Sequence, residues 1–165
     1  MTGTRLTGGC QCGAVRYALH QRPEEPHICH CRMCQKAFGS FFAPLAEARL
    51  ASFEVTRGRL ATFASSDVTE RGFCRDCGTP LSLQDAGSDR ILVSIGSLDH
   101  PEAVVPVRQH GLERRLPFFA MLDGLPGDVT TEEAEPGVAA WIAATNHQHP
   151  DHDTELWPPA TGDRA

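Results

Sequence analysis

A chain of 165 residues, 41% of them hydrophobic, is long enough to bury one core, so length alone does not make cross-links obligatory. The net charge of −6 and a pI of about 5.7 argue against nucleic acid as the main partner, which calls for a basic face. No window reaches the length of a membrane span, and residues 1–9 hold no apolar run of signal-peptide length. The expected setting is the cytoplasm, where thiols stay reduced and cysteine clusters read as metal or redox sites.

Taken in chain order, Cys10-Gln-Cys12 comes first, flanked by Gly8-Gly9 and Gly13. Residues 15–19 alternate, which predicts a half-buried strand with Val15, Tyr17 and Leu19 inward and Arg16 and Ala18 outward. Cys29-His-Cys31-Arg-Met-Cys34 follows, with a short helical turn over 32–37. Apolar runs at 41–45, 50–55, 60–63, 81–83 and 91–95 predict short strands. Gly, Pro, Ser and Asp punctuate them, as in a mainly β domain. Cys74-Arg-Asp-Cys77 reads as a metal-binding turn, since Gly78 lets the backbone curl tightly behind it. A helix is predicted over Val138–Thr145, with Trp141, Ile142 and Ala144 as packing residues. The expected organisation is one metal-binding domain, 6–145, and an extended C-terminal tail, 146–165. The tail is polar, without periodicity, and its His147, His149 and His152 read as solvated.

The cysteines divide by reach. Cys29, Cys31 and Cys34 can meet without long-range folding, whereas Cys10 with Cys12 and Cys74 with Cys77 form two distant pairs. On an extended segment residues two apart point the same way, so each C-x-C aims both sulfurs at one metal. Four thiolates make a closed, structural zinc site, and three leave a position for catalysis. Two zinc ions per chain are expected, one structural and one catalytic. A single zinc using two of the three clusters, an iron–sulfur cluster and disulfides are the alternatives, the last opposed by the odd count. His30, between two ligands, should point away from them and bond to backbone. Arg32, Lys36, Arg71 and Arg75 either offset the charge of a three-thiolate zinc or are ordinary surface charges.

Four segments carry a resemblance. They are Gly8-Gly-Cys-Gln-Cys-Gly-Ala-Val-Arg-Tyr17, Cys29-His-Cys-Arg-Met-Cys34, Arg71-Gly-Phe-Cys-Arg-Asp-Cys-Gly-Thr-Pro-Leu81 and Gly96-Ser-Leu-Asp99. With a later stretch from Arg114 through Pro126, the chain resembles the glutathione-dependent formaldehyde-activating enzymes, a family that includes centromere protein V. The resemblance implies a single, mainly antiparallel β domain of β-tent type, with few short helices and zinc-stapled strands. It also implies a structural zinc on Cys10, Cys12, Cys74 and Cys77 and a catalytic zinc on Cys29, Cys31 and Cys34. Phe118 stands where similar sequences often carry tryptophan.

The function this suggests is a zinc-dependent carbon–sulfur lyase acting on a thiol adduct of a small aldehyde, with glutathione as the thiol. A non-catalytic zinc or thiol-binding module and a redox-labile zinc site are the competing readings.

Overall fold

The computed structural model describes residues 5–158. Its strands are short because turn-forming residues interrupt every apolar run. In chain order they are β1 (Leu6–Gly9), β2 (Arg16–Leu19), β3 (Glu24–Cys29), β4 (Ala43–Arg49), β5 (Phe53–Arg57), β6 (Ala61–Ala64), β7 (Thr69–Phe73), β8 (Pro80–Asp85), β9 (Arg90–Ser94) and β10 (Arg108–His110). Helices α1 (Arg32–Phe38), α2 (Thr131–Ala134) and α3 (Val138–Thr145) are also short. The strands form a three-stranded sheet, β1-β2-β5, and a seven-stranded sheet, β10-β3-β4-β9-β8-β7-β6. The β10–β3 pair is parallel and the other strand pairs are antiparallel. The expected mainly antiparallel β fold with few short helices is therefore present.

Tyr17 and Leu19 of the small sheet meet Ala46, Ala48, Leu81, Ile91 and Val93 of the large one in the main core. A second, smaller cluster joins Cys34, Ala43 and Leu45. Each cysteine group thus borders its own apolar cluster: Cys10 and Cys74 belong to the first, Cys34 to the second.

Three local expectations fail for physical reasons. Strand β2 is buried throughout, Arg16 and Ala18 included: it is the central strand of its sheet, and Asp99 and Asp153 close over the Arg16 side chain. Arg16 is tolerated there because its guanidinium donates to both Asp99 oxygens, at 2.8 and 2.5 Å. Helix α3 forms where expected, but Trp141, Ile142 and Ala144 are exposed, since this helix touches mainly α2. Strand β3 goes unseen in the sequence because it begins Glu-Glu-Pro. Its pairing with β4 shifts register between Glu24 and His27, an irregularity that accommodates Pro26.

The tail also differs from a solvated arm. The segment 147–158 runs back across the turn that carries Cys10 and Cys12. His149 is 2% exposed and its amide donates to the Gln11 carbonyl at 2.7 Å. Asp153 accepts from Arg16 and Arg5, Arg57 donates to the Thr154 carbonyl, and the Trp157 indole donates to the Cys12 carbonyl at 2.7 Å. Gly13 makes room: its φ is +77°, and a Cβ there would lie 2.1 Å from the His149 ring. Polarity of the tail sequence misleads because the surface it covers is itself polar, built on Arg5, Arg16, Arg57 and bare carbonyls. Residues 159–165 lie outside the described residues.

Candidate metal centres

The four-cysteine group is assembled by two turns. β1 ends at Gly9, so Cys10 and Cys12 stand on the turn beyond it, closed by the Gly13 amide donating to the Cys10 carbonyl at 3.0 Å. This corrects the expectation that the pair lies on a strand. Cys74 and Cys77 occupy the turn between β7 and β8, where Gly78 adopts a φ of +78° and donates to the Cys74 carbonyl at 2.9 Å. One ligand atom from each of the four lies within 4.8 Å of the others. A tetrahedral zinc at about 2.3 Å from each sulfur requires sulfurs about 3.8 Å apart. Cys10 Sγ lies 3.6 Å from Cys12 Sγ, which is 3.9 Å from Cys74 Sγ. These separations fit one metal ion and are far from the roughly 2.0 Å of a disulfide.

Donors already converge on these sulfurs. The Val15 amide donates to Cys10 Sγ at 3.2 Å, and the Thr79 hydroxyl lies 3.2 Å from Cys77 Sγ. Burial pushes the Cys10 and Cys12 thiols up. Burial opposes ionisation of Cys77 too, but bonds from the Thr79 side chain and backbone outweigh it and bring that thiol down to about 6.

The three-cysteine group is local, as its spacing implies. Cys29 ends β3, Cys31 is the N-cap of α1 and Cys34 lies in its first turn, with the Cys34 amide donating to Cys31 Sγ at 3.4 Å. The three sulfurs also lie within 4.8 Å of one another. Cys29 and Cys31 are half-buried and Cys34 is buried, while in the four-cysteine group Cys12 and Cys77 are half-buried and Cys10 and Cys74 buried, so the two groups differ in sulfur count and not in exposure. The thiols divide their protons unequally. Hydrogen bonding from Cys29, and then the Arg71 guanidinium, lower Cys34 to about 5 against the cost of burial. Cys29 is pushed up by that same bond to Cys34 and by burial.

Of the four basic residues picked from the sequence, Arg32, Lys36 and Arg75 are exposed. Arg71 is 9% exposed and reaches across from β7 to place Nη2 3.5 Å from Cys34 Sγ. Sequence reasoning had no means to separate it from the others, since the partner is 37 positions away. Gln35 went unnoticed altogether. It is buried and donates to the carbonyls of His30 and Arg114, at 2.9 and 3.0 Å, pinning the cysteine loop to the segment after β10. His30 is buried beside Phe42 and Phe119 and stands outside the cysteine groups, as expected. Its Nε2 lies 2.9 Å from the Gln109 side-chain oxygen, where a backbone partner was expected. Phe118 keeps an aromatic contact, edge-on to Phe41 at 5.0 Å.

Both donor sets can hold a metal ion and are compatible with zinc. A family model described as glutathione-dependent formaldehyde-activating enzyme matches residues 5–112. The chain belongs to that family. A crystal structure of a Rhodobacter sphaeroides protein is similar at 25% identity, with a TM-score of 0.50, over 62% of this chain and 98% of that one. No curated protein matches the chain at a significant level. The matched span contains every cysteine and stops before α2, α3 and the returning tail. Among the described residues no helix is long and apolar enough to cross a membrane.

Proposed function

We propose that this member of the family is a zinc-dependent carbon–sulfur lyase of the cytoplasm, making or breaking the adduct of a small aldehyde with glutathione. The observation that carries this reading is the pairing of a four-sulfur group, enough to complete a tetrahedral site, with a three-sulfur group that leaves a fourth position for a ligand, in a chain of this family. In this reading Cys10, Cys12, Cys74 and Cys77 hold a structural zinc, and Cys29, Cys31 and Cys34 hold the working one. Seven free thiols suit a reducing compartment.

Zinc at the triad supplies positive charge that favours the thiolate form of a bound thiol or polarises a carbonyl oxygen. In the forming direction the sulfur attacks the carbonyl carbon, one C–S bond forms, and the π electrons pass to oxygen, which takes a proton. No oxidant or reductant is needed. The protein's own part is placement. Gln35 fixes the loop, and the bond from the Cys34 amide orients the Cys31 sulfur.

The test is exchange NMR of a formaldehyde–glutathione mixture with the zinc protein and with Cys31→Ser. The intact protein should accelerate interconversion above the uncatalysed background and C31S should not. Equal rates with and without the intact protein would remove the lyase reading.

A further inference from the structure

Arg71 poses an electrostatic problem that the proposed reaction does not solve. A buried guanidinium is costly unless an anion faces it. Among the described residues Arg71 has no carboxylate partner. Its Nε donates to the Ser65 hydroxyl at 3.0 Å, and its Nη2 is aimed at Cys34 Sγ at 3.5 Å. Ser65 is itself fixed in the β6–β7 turn by its amide bond to the Thr69 carbonyl at 2.8 Å. Arg71 sits mid-strand on β7, paired with Phe63 on one side and Leu83 on the other, so its backbone cannot drift. The anion that balances it is therefore the cysteine triad.

We propose that Arg71 is a positioning residue of the triad, the counter-charge that lets three thiolates hold a metal and accept an anionic fourth ligand. The inference rests on reading the triad as a metal centre, not on the lyase reaction. A divalent ion on three thiolates carries one net negative charge, which repels an incoming thiolate. One fixed guanidinium cancels it. Among the described residues no arginine bonds a sulfur of the four-cysteine group, where the Val15 amide and the Thr79 hydroxyl reach the sulfurs instead, and a closed site takes no further anion. A planar guanidinium suits the role because it stays charged when buried and can bond Ser65 and Cys34 at once.

The experiment compares Arg71→Met, Arg71→Lys and Ser65→Ala with the parent protein. Bound zinc is followed under chelator competition, and cobalt(II) is substituted to watch the thiolate-to-metal absorption as glutathione is added. R71M should release the triad metal at about 10–100-fold less chelator, the usual cost of losing a residue that supports a metal ligand. It should keep the four-cysteine metal and lose the spectral response to glutathione. R71K should recover most of both, and S65A should fall between R71K and the parent. If R71M does not fold, Arg71→Gln, which keeps a donor but no charge, reads the same quantities. Retention of the triad metal at the parent's chelator midpoint would overturn the proposal. So would a lysine variant no better than methionine, or a parent protein with no metal on the triad. None of these readouts depends on aldehyde turnover, so a failed lyase assay leaves the proposal standing.

Discussion

Replacing one cysteine from each group should have very different consequences, and the chain separations give the size of the difference. Cys12 and Cys74 are 62 positions apart, and a bridge of that span removes about 4 kcal/mol of unfolded-chain entropy. Cys29 and Cys34 are five positions apart, for which the same relation gives only about 2 kcal/mol. Cys10 and Cys74 also belong to the main core, so losing their metal loosens the seam between the two sheets. A domain of this kind has only about 5–15 kcal/mol in total, and a structural zinc can contribute about as much. Cys12→Ser should therefore be poorly soluble and lack a cooperative melt. Cys31→Ser should fold with one zinc per chain, its Tm lowered by about 4–8 °C on the usual scaling for this size. Circular dichroism melts with zinc-to-protein ratios from mass spectrometry decide the matter. Equal loss of Tm in the two variants, or two zinc ions retained by C31S, would refute the division of roles.

Asp99→Asn breaks a buried ion pair and also weakens the bond from the Thr7 hydroxyl, but Asp153 still faces Arg16, so urea denaturation should show a loss of about 1.5–3 kcal/mol, that of a charged hydrogen bond. Truncation after residue 146 removes the His149, Asp153 and Trp157 contacts, and zinc should then leave the four-cysteine group faster in a chelator assay, with the triad unaffected. Burial holds His149 below the ordinary histidine range, and Arg16 and Arg57 add to the effect. The unfolded chain binds that proton more readily. The stability His149 contributes is therefore complete above about pH 6.5 and falls as the pH drops below it, a slope that His149→Gln should flatten in pH-dependent melts. Glutathione should bind the triad with proton release and more tightly as pH rises toward the thiol pKa of about 8.5, and S-methylglutathione should not. Calorimetry in buffers of different ionisation enthalpy reads both.

What the amino-acid sequence determined by itself was local or compositional. Cys29, Cys31 and Cys34 meet because they are neighbours, and the Cys74–Cys77 turn forms because Gly78 permits it. Short apolar runs between turn residues specify a β domain whatever their pairing. Spacing also assigned Cys10 and Cys12 to a common metal, although the pair proved to stand on a turn where a strand was expected. Tertiary structure decided everything that depends on two distant segments having matching chemistry. Arg16 looked like the outward residue of an alternating strand until Asp99 and Asp153 supplied its anions. The polar tail looked solvated until the arginines and carbonyls it covers came into view. Arg71 was one charge among four until the fold carried it to Cys34. Periodicity reports which side chains avoid water, but a buried polar group is stabilised by its partner, and a partner many positions away leaves no periodic trace.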